Sequence, residues 1–167
     1  YRWRKVSPLT LAAKTSAENE PMRNGIDREW NGEDNGVYTA PGEVNLTYTW
    51  AKPVTVSDAR FIFDSDLKVR SKRMRKLEAT TERKEMPSEM VKAFKVQVRV
   101  PAATRKQSKL NAADPAAGEW VTVAEVKDNF RRLVKVSFDA VQTDAVRIVV
   151  DETWGAEKAH IFAFDVK

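Results

Sequence analysis

Apolar residues recur at every second position through much of this chain. In VNLTYTW (44–50), Val44, Leu46, Tyr48 and Trp50 fall on one face and Asn45, Thr47 and Thr49 on the other. A period of two is that of a strand with one buried face. FKVQVRV (94–100) repeats it, setting Phe94, Val96, Val98 and Val100 against Lys95, Gln97 and Arg99. Further strands are expected at ARFIF (59–63), WVTVAEV (120–126), LVKVSF (133–138), AVRIVV (145–150) and HIFAFDV (160–166). Most of the intervening gaps are too short for crossover helices, so neighbours should pair antiparallel. That many half-apolar strands also need a second layer to cover them. The expected fold is all-β, an antiparallel β-sandwich, in a single domain over residues 1–167.

Three segments break the alternation. NGIDREWNGEDNGVYTAPGE (24–43) sets Trp30 and Tyr38 among Asn, Gly, Asp and Glu. Gly and Asn at this density favour turns, so the stretch reads as a loop without a regular element. Its two aromatics either plug the core or face a ligand. Residues 64–91 form a long charged insertion in which Leu67, Met74 and Leu77 could support a helical turn that Pro87 would end. Residues 101–119, PAATRKQSKLNAADPAAGE, read as a loop. No internal repeat is present.

Charge sharpens the picture at one place. The net charge is +5, and KVRSKRMRK (68–76) alone carries six basic residues and no acid. The tract has no aromatic for stacking bases, and Glu78, Glu82, Glu85 and Glu89 follow it. A solvated loop or a docking face for an acidic partner therefore fits better than nucleic-acid binding. A chain of 167 residues can bury roughly 70% of its unfolded surface. It needs no disulfide and, without cysteine, can form none. No apolar run approaches the ~20 residues that span a bilayer. The YRWRKVSP start, without Met, reads as a cut edge, either of a processed chain or of a domain taken from a longer protein.

The usual parts of an enzyme are missing. There is one histidine, no cysteine, and neither a GxSxG elbow, an HExxH pair nor a Gly-rich phosphate loop. Asp64 and Asp66 could act as an acid–base pair, but nothing in the sequence sets them across a cleft. His160, opening the last strand, reads as a surface or hydrogen-bonded residue rather than a general base. The chain is expected to be non-catalytic.

Taken in order, NGIDREWNGEDNG, VNLTYTWAKPVTVSDARFIFDSDL, FKVQVRV, GEWVTVAEVKDNFRRLVKVSFDAVQTDAVRIVV and WGAEKAHIFAFDV resemble the discoidin or coagulation-factor type C family. The likeness covers roughly residues 20–167 apart from the charged insertion. It implies a galactose-binding-like jelly roll, a tight bend at Lys52-Pro53 between two strands, and Trp120 in or beside the core. More narrowly, NGxDR, FIFDSDL, NFRRLVKV and ETWGAEKAHIFAFDV look like the C-terminal domain of certain bacterial FAD-dependent oxidoreductases. Without a dinucleotide fingerprint, this chain should not itself bind FAD.

The family holds ligands in loops at one end of the sandwich. The resemblance therefore implies an accessory carbohydrate-binding module, secreted or periplasmic, that presents Trp30, Tyr38, Asn129, Arg131, Arg132 and Trp154 to a glycan. Aromatic faces grip sugar rings and fixed polar groups orient them. A structural role is open for each residue, with Trp30 capping the core, Trp154 beneath a long loop, and Arg132 paired to Asp151 or Glu152. The other functional reading is a docking domain that packs against the remainder of a parent protein. Many relatives also carry a structural calcium in the early loop. Asn24 and Asp27 match its first part, but Ala163 stands where a final-strand acid is expected. Calcium takes about six to eight oxygens, so that loss weakens the site, and no cofactor is expected.

Overall fold

The computed structural model describes residues 4–66, 86–100 and 118–167. The proposed helical turn and the basic tract within the insertion, and most of the 101–119 loop, lie outside the described residues. Six strands form: β1 (Val37–Thr39), β2 (Thr47–Phe63), β3 (Val91–Val100), β4 (Glu119–Val126), β5 (Leu133–Thr153) and β6 (Ala159–Val166). Their hydrogen-bonded order is β1-β6-β2-β5-β3-β4, and every pairing is antiparallel.

The sandwich is made by folding that one sheet over. Segments read as separate strands are halves of β2, 17 residues long, and of β5, 21 residues long. The two pair along almost their whole length, from Thr47 with Arg147 to Ile62 with Leu133. Register shifts between Thr49 and Val54, and again between Val56 and Asp58, interrupt the ladder. The expected bend at Lys52-Pro53 is thus a bulge inside a continuous strand. Proline has no N–H for a ladder and is tolerated where pairing lapses. At the bulges both strands cross from one layer to the other. The first half of β2 and the second half of β5 join β3 and β4, and the remaining halves join β6 and β1.

Aromatic rings from the two layers meet in the core. Tyr48 stacks on Phe164 at 4.9 Å, and Phe61 meets the edge of Phe94 at 4.9 Å. Phe63 packs against both Phe61 and Phe94. Each such ring, fully buried, contributes about 2–3 kcal/mol of transfer free energy. The alternation of Leu46, Tyr48 and Trp50 points inward as expected, but Val44 is 51% exposed because β2 starts only at Thr47. Trp120 also departs from expectation. It is half-buried on the outer face of its sheet, where Arg147 lies 4.0 Å above its ring. Its register partner is Arg99, whose neighbours Val96 and Val98 face the core, so alternation sends Trp120 outward.

Residues 4–23 pack against β6. Pro8–Ala12 form a short helix, α1, with Ser7 accepting the Leu9 N–H and Pro8 in the first turn. Residues 17–23 form a 3₁₀ turn. Asp165 ties this segment down, being 2% exposed and accepting hydrogen bonds from the Ser7 N–H at 3.0 Å and the Thr10 hydroxyl at 2.6 Å. Replacing Asp165 with Ala leaves these buried donors without their acceptor. We expect a loss of about 3 kcal/mol in urea denaturation, and a loss below 1 kcal/mol would show the segment to be held by other means.

Candidate functional site

Folding the long strands over brings the ends of β2, β3, β4 and β5 and the start of β6 to one end of the sandwich. Four segments gather there, namely residues 24–36, the two ends of the β2–β3 connection at 64–66 and 86–90, and residues 127–132, together with the turn at 154–158. Backbone hydrogen bonds knit them together. The Glu89 carbonyl accepts the His160 N–H at 3.1 Å, the Met90 carbonyl accepts the Trp154 N–H at 3.1 Å, and the Lys92 carbonyl accepts the Asn129 N–H at 2.8 Å. The 86–90 turn is thus the hinge between two groups of side chains.

The first group surrounds His160. Val37–Thr39 form a three-residue strand where an irregular loop was expected, and the register sets Tyr38 directly beside His160. Their rings stack at 4.2 Å with planes 2° apart. The imidazole is 1% exposed and held at both nitrogens, Nδ1 to Asp64 at 2.8 Å and Nε2 to Asp34 at 2.9 Å. Gly36 is required by this contact, because a Cβ there would stand 2.1 Å from Nε2. Burial alone would disfavour the charged ring, but the hydrogen bond to Asp64 and the negative charges of Asp34 and Asp64 outweigh it and raise the pKa above the ordinary histidine value. Burial likewise pushes the Asp64 carboxyl up, yet the hydrogen bond from His160 and the Asp66 N–H bring it below the usual value. Desolvation, then the charges of Glu89, Asp34 and Asp64, raises the Tyr38 phenol to about 12. Asp66 does not face Asp64 across a cleft. Its backbone N–H caps the Asp64 carboxylate at 2.7 Å.

The second group lies on the β4–β5 turn and beyond β5. Asn129 is buried and uses its amide on the backbone, donating to the Val91 and Arg131 carbonyls and accepting the Arg131 N–H. Its own carbonyl accepts the Trp154 indole N–H at 2.7 Å. Trp154 is half-buried, packed on the core, with the Lys92 ammonium 5.4 Å from its ring centre. Arg131 is exposed beside Phe130, which is itself 64% exposed. Phe130 was passed over in the sequence. Its only signal was an apolar residue set among Asp128, Asn129, Arg131 and Arg132, in a turn rather than a strand.

Arg132 joins the two groups from inside. It donates to the Phe63 carbonyl at 3.1 Å and to the Asp27 carbonyl, and stands over the Phe162 ring. It does not pair with Asp151 or Glu152, which bind Lys95 and Lys92. Trp30 sits at the tip of a tight turn, bridged to Glu33 through the backbone, and is 36% exposed. The oxygens once assigned to calcium are engaged by the protein's own donors. The Asn24 Oδ1 accepts the Ile26 N–H, the Asp27 carboxylate binds Arg4, and the Asp27 carbonyl faces the Arg132 guanidinium. Buried Ala163 supplies no side-chain carboxylate at the final-strand position.

No protein-family profile matches the chain, and no curated protein does. Solved structures do. The family 32 carbohydrate-binding module from Streptococcus pneumoniae EndoD superposes with a TM-score of 0.55 at 16% identity, over 92% of this chain and 88% of that one. The family 32 module of AlyQ, in complex with 4,5-unsaturated mannuronic acid, gives 0.55 at 11% identity over 100% and 98%. Chitosan-binding module 1 of a chitosanase/glucanase from Paenibacillus sp. IK-5 gives 0.52 at 12% identity over 93% and 91%. The chain shares the antiparallel β-sandwich fold of these modules. At these identities the likeness speaks for architecture, and it does not bear on the narrower resemblance to FAD-dependent oxidoreductases.

The His160 cluster has a defined pH signature. A raised histidine pKa gives stability that is complete below the unfolded value of about 6.5 and is lost as pH rises through the folded value. A lowered Asp64 pKa gives stability that is complete above about 3.9 and is lost as pH falls through the folded value. In chelator-treated protein, the stability gap between wild type and Asp64→Asn should therefore be wider at pH 6 than at pH 9. Equal gaps in urea denaturation at both pH values would refute the ionic pairing.

Proposed function

We propose that the chain is a non-catalytic module that binds carbohydrate at the loop end of the sandwich and tethers a larger protein to a glycan. The observation that carries this is Phe130, a largely exposed aromatic on a turn whose backbone is fixed from three sides by Asn129. A rigid apolar face flanked by the exposed Arg131 and the half-exposed Trp154 is suited to a sugar ring, which offers an apolar face and a rim of hydroxyls. A glycan needs little rearrangement of such a site, so less ordering entropy opposes binding.

The chemistry of the His160 cluster supports the absence of catalysis. An imidazole that is 1% exposed, with both nitrogens engaged, has no path to a substrate proton. The fold agrees with a binding role. Structures of the same architecture are described with GalNAc and with 4,5-unsaturated mannuronic acid, one neutral sugar and one acidic. The architecture thus accommodates different sugars through its loops, and this chain's preference rests on its own turn residues. A glycan target implies a place where polysaccharides are met, outside the cytoplasm.

A glycan array probed with the isolated chain, followed by titration of any hit, tests the reading. Phe130→Ala should keep the wild-type melting temperature, because the ring packs on little, and weaken binding at least tenfold, about 1.4 kcal/mol. Trp154→Ala should lower both binding and stability, since its indole also holds Asn129. A folded Phe130→Ala variant with unaltered binding would move the site away from this turn, and silence across the array would end the proposal.

A further inference from the structure

We propose that Asp64, Glu89 and His160 form a binding site for a single transition-metal dication of the zinc class. One ligand atom from each lies within 4.8 Å of the others. The three come from different parts of the chain, the segment after β2, the turn before β3 and the start of β6, so the fold and not local sequence assembles them. Glu89 is held in place by its own backbone, whose carbonyl accepts the His160 N–H at 3.1 Å. Its half-buried carboxylate has no hydrogen-bond partner among the described residues, although it approaches a second carboxylate. The Arg132 charge acts on Asp64, but its hydrogen bonds go to Phe63, Ser65 and Asp27 and none reaches Glu89. A dication here would take both carboxylates and displace the imidazole proton that bonds Asp64.

The ring is already oriented as a ligand. With the Nε2–H donated to Asp34 at 2.9 Å, loss of the Nδ1 proton that bonds Asp64 would leave the Nδ1 lone pair directed at Asp64, with Glu89 nearby. A carboxylate behind the imidazole is how metal-bound histidines are commonly fixed in tautomer and direction. Stacked Tyr38 and the close approach of Gly36 leave the ring no other plane. Ligand atoms around a tetrahedral ion, each about 2.0 Å from it, stand about 3.3 Å apart. The contact of 2.8 Å between Asp64 and His160 therefore has to open by roughly 0.5 Å. Glu89, on a surface turn, has to swing inward. One nitrogen and two carboxylates suit zinc and its neighbours, whereas calcium requires more oxygens than the cluster supplies. Three protein ligands leave a fourth position for water.

Tag-free protein, stripped with chelator, is titrated with Zn²⁺ by calorimetry, and Co²⁺ is added separately to read coordination from its visible absorption. One ion per chain is expected, with a Kd in the micromolar range or tighter. Because His160 is the chain's one histidine, loss or shift of a single imidazole NMR signal identifies it as the ligand. Glu89→Gln should weaken Zn²⁺ at least tenfold, His160→Asn should abolish binding, and Asp34→Asn should weaken it about tenfold by freeing the ring. If His160→Asn does not fold, Glu89→Gln decides the matter. No binding, or binding that ignores Glu89→Gln and leaves the imidazole signal unmoved, overturns the site. Glycan binding at Phe130 is read separately and does not depend on the result.

Discussion

Everything in this molecule hangs on the pairing of β2 with β5. The two longest strands share a ladder that runs from one layer, through the bulges, into the other. Neither layer has a complete set of strands without them. The ladder satisfies the backbone on both sides of the turnover and lapses only at the bulges. The bulges supply the bend, since an extra unpaired residue both kinks a strand and increases its twist. Once the ribbon is folded, Tyr48 of β2 meets Phe164 of β6 and Phe61 of β2 meets Phe94 of β3, and the core closes between the two layers.

That closure also decides what the loops can do. Several polar residues that look like ligand contacts are the pins of the loop end. Asn129 joins β3 to the β4–β5 turn, and Arg132 joins that turn to the end of β2 and the early loop. Asn24 and Asn35 stitch the early loop to itself. A side chain with all its hydrogen-bonding capacity directed inward has little left for a ligand. They hold the segments that carry Phe130, Arg131 and Trp154 in place. The aromatics of the early loop divide in the same way. Tyr38 has one face on His160 and the other toward solvent, whereas Trp30 marks the tip of a turn.

Much of the fold was legible in the chain. The period of two at Leu46–Trp50 and Phe94–Val98 carries both strand identity and inward face, because alternation is a local consequence of the pleat. The seven segments, their antiparallel pairing and the need for two layers follow from the same local physics. Strand ends were less legible. Val44 continues the pattern into a region that has left the sheet, and Lys52-Pro53 looks like a turn yet is bridged by a bulge. The family resemblance set Trp120 in or beside the core, whereas the register of its strand sends it to the outer face.

The sequence by itself determined an all-β sandwich with aromatic-bearing loops, since hydrophobic periodicity and turn chemistry act over a few residues. Only the tertiary structure decided which loops share an end, that the lone histidine lies buried between Asp34 and Asp64, and that Glu89 joins them. Those three acids stand 126, 96 and 71 positions from His160 along the chain, taken as differences of residue number. Side chains so far apart meet only after every intervening strand has found its register, and no local preference encodes that distance.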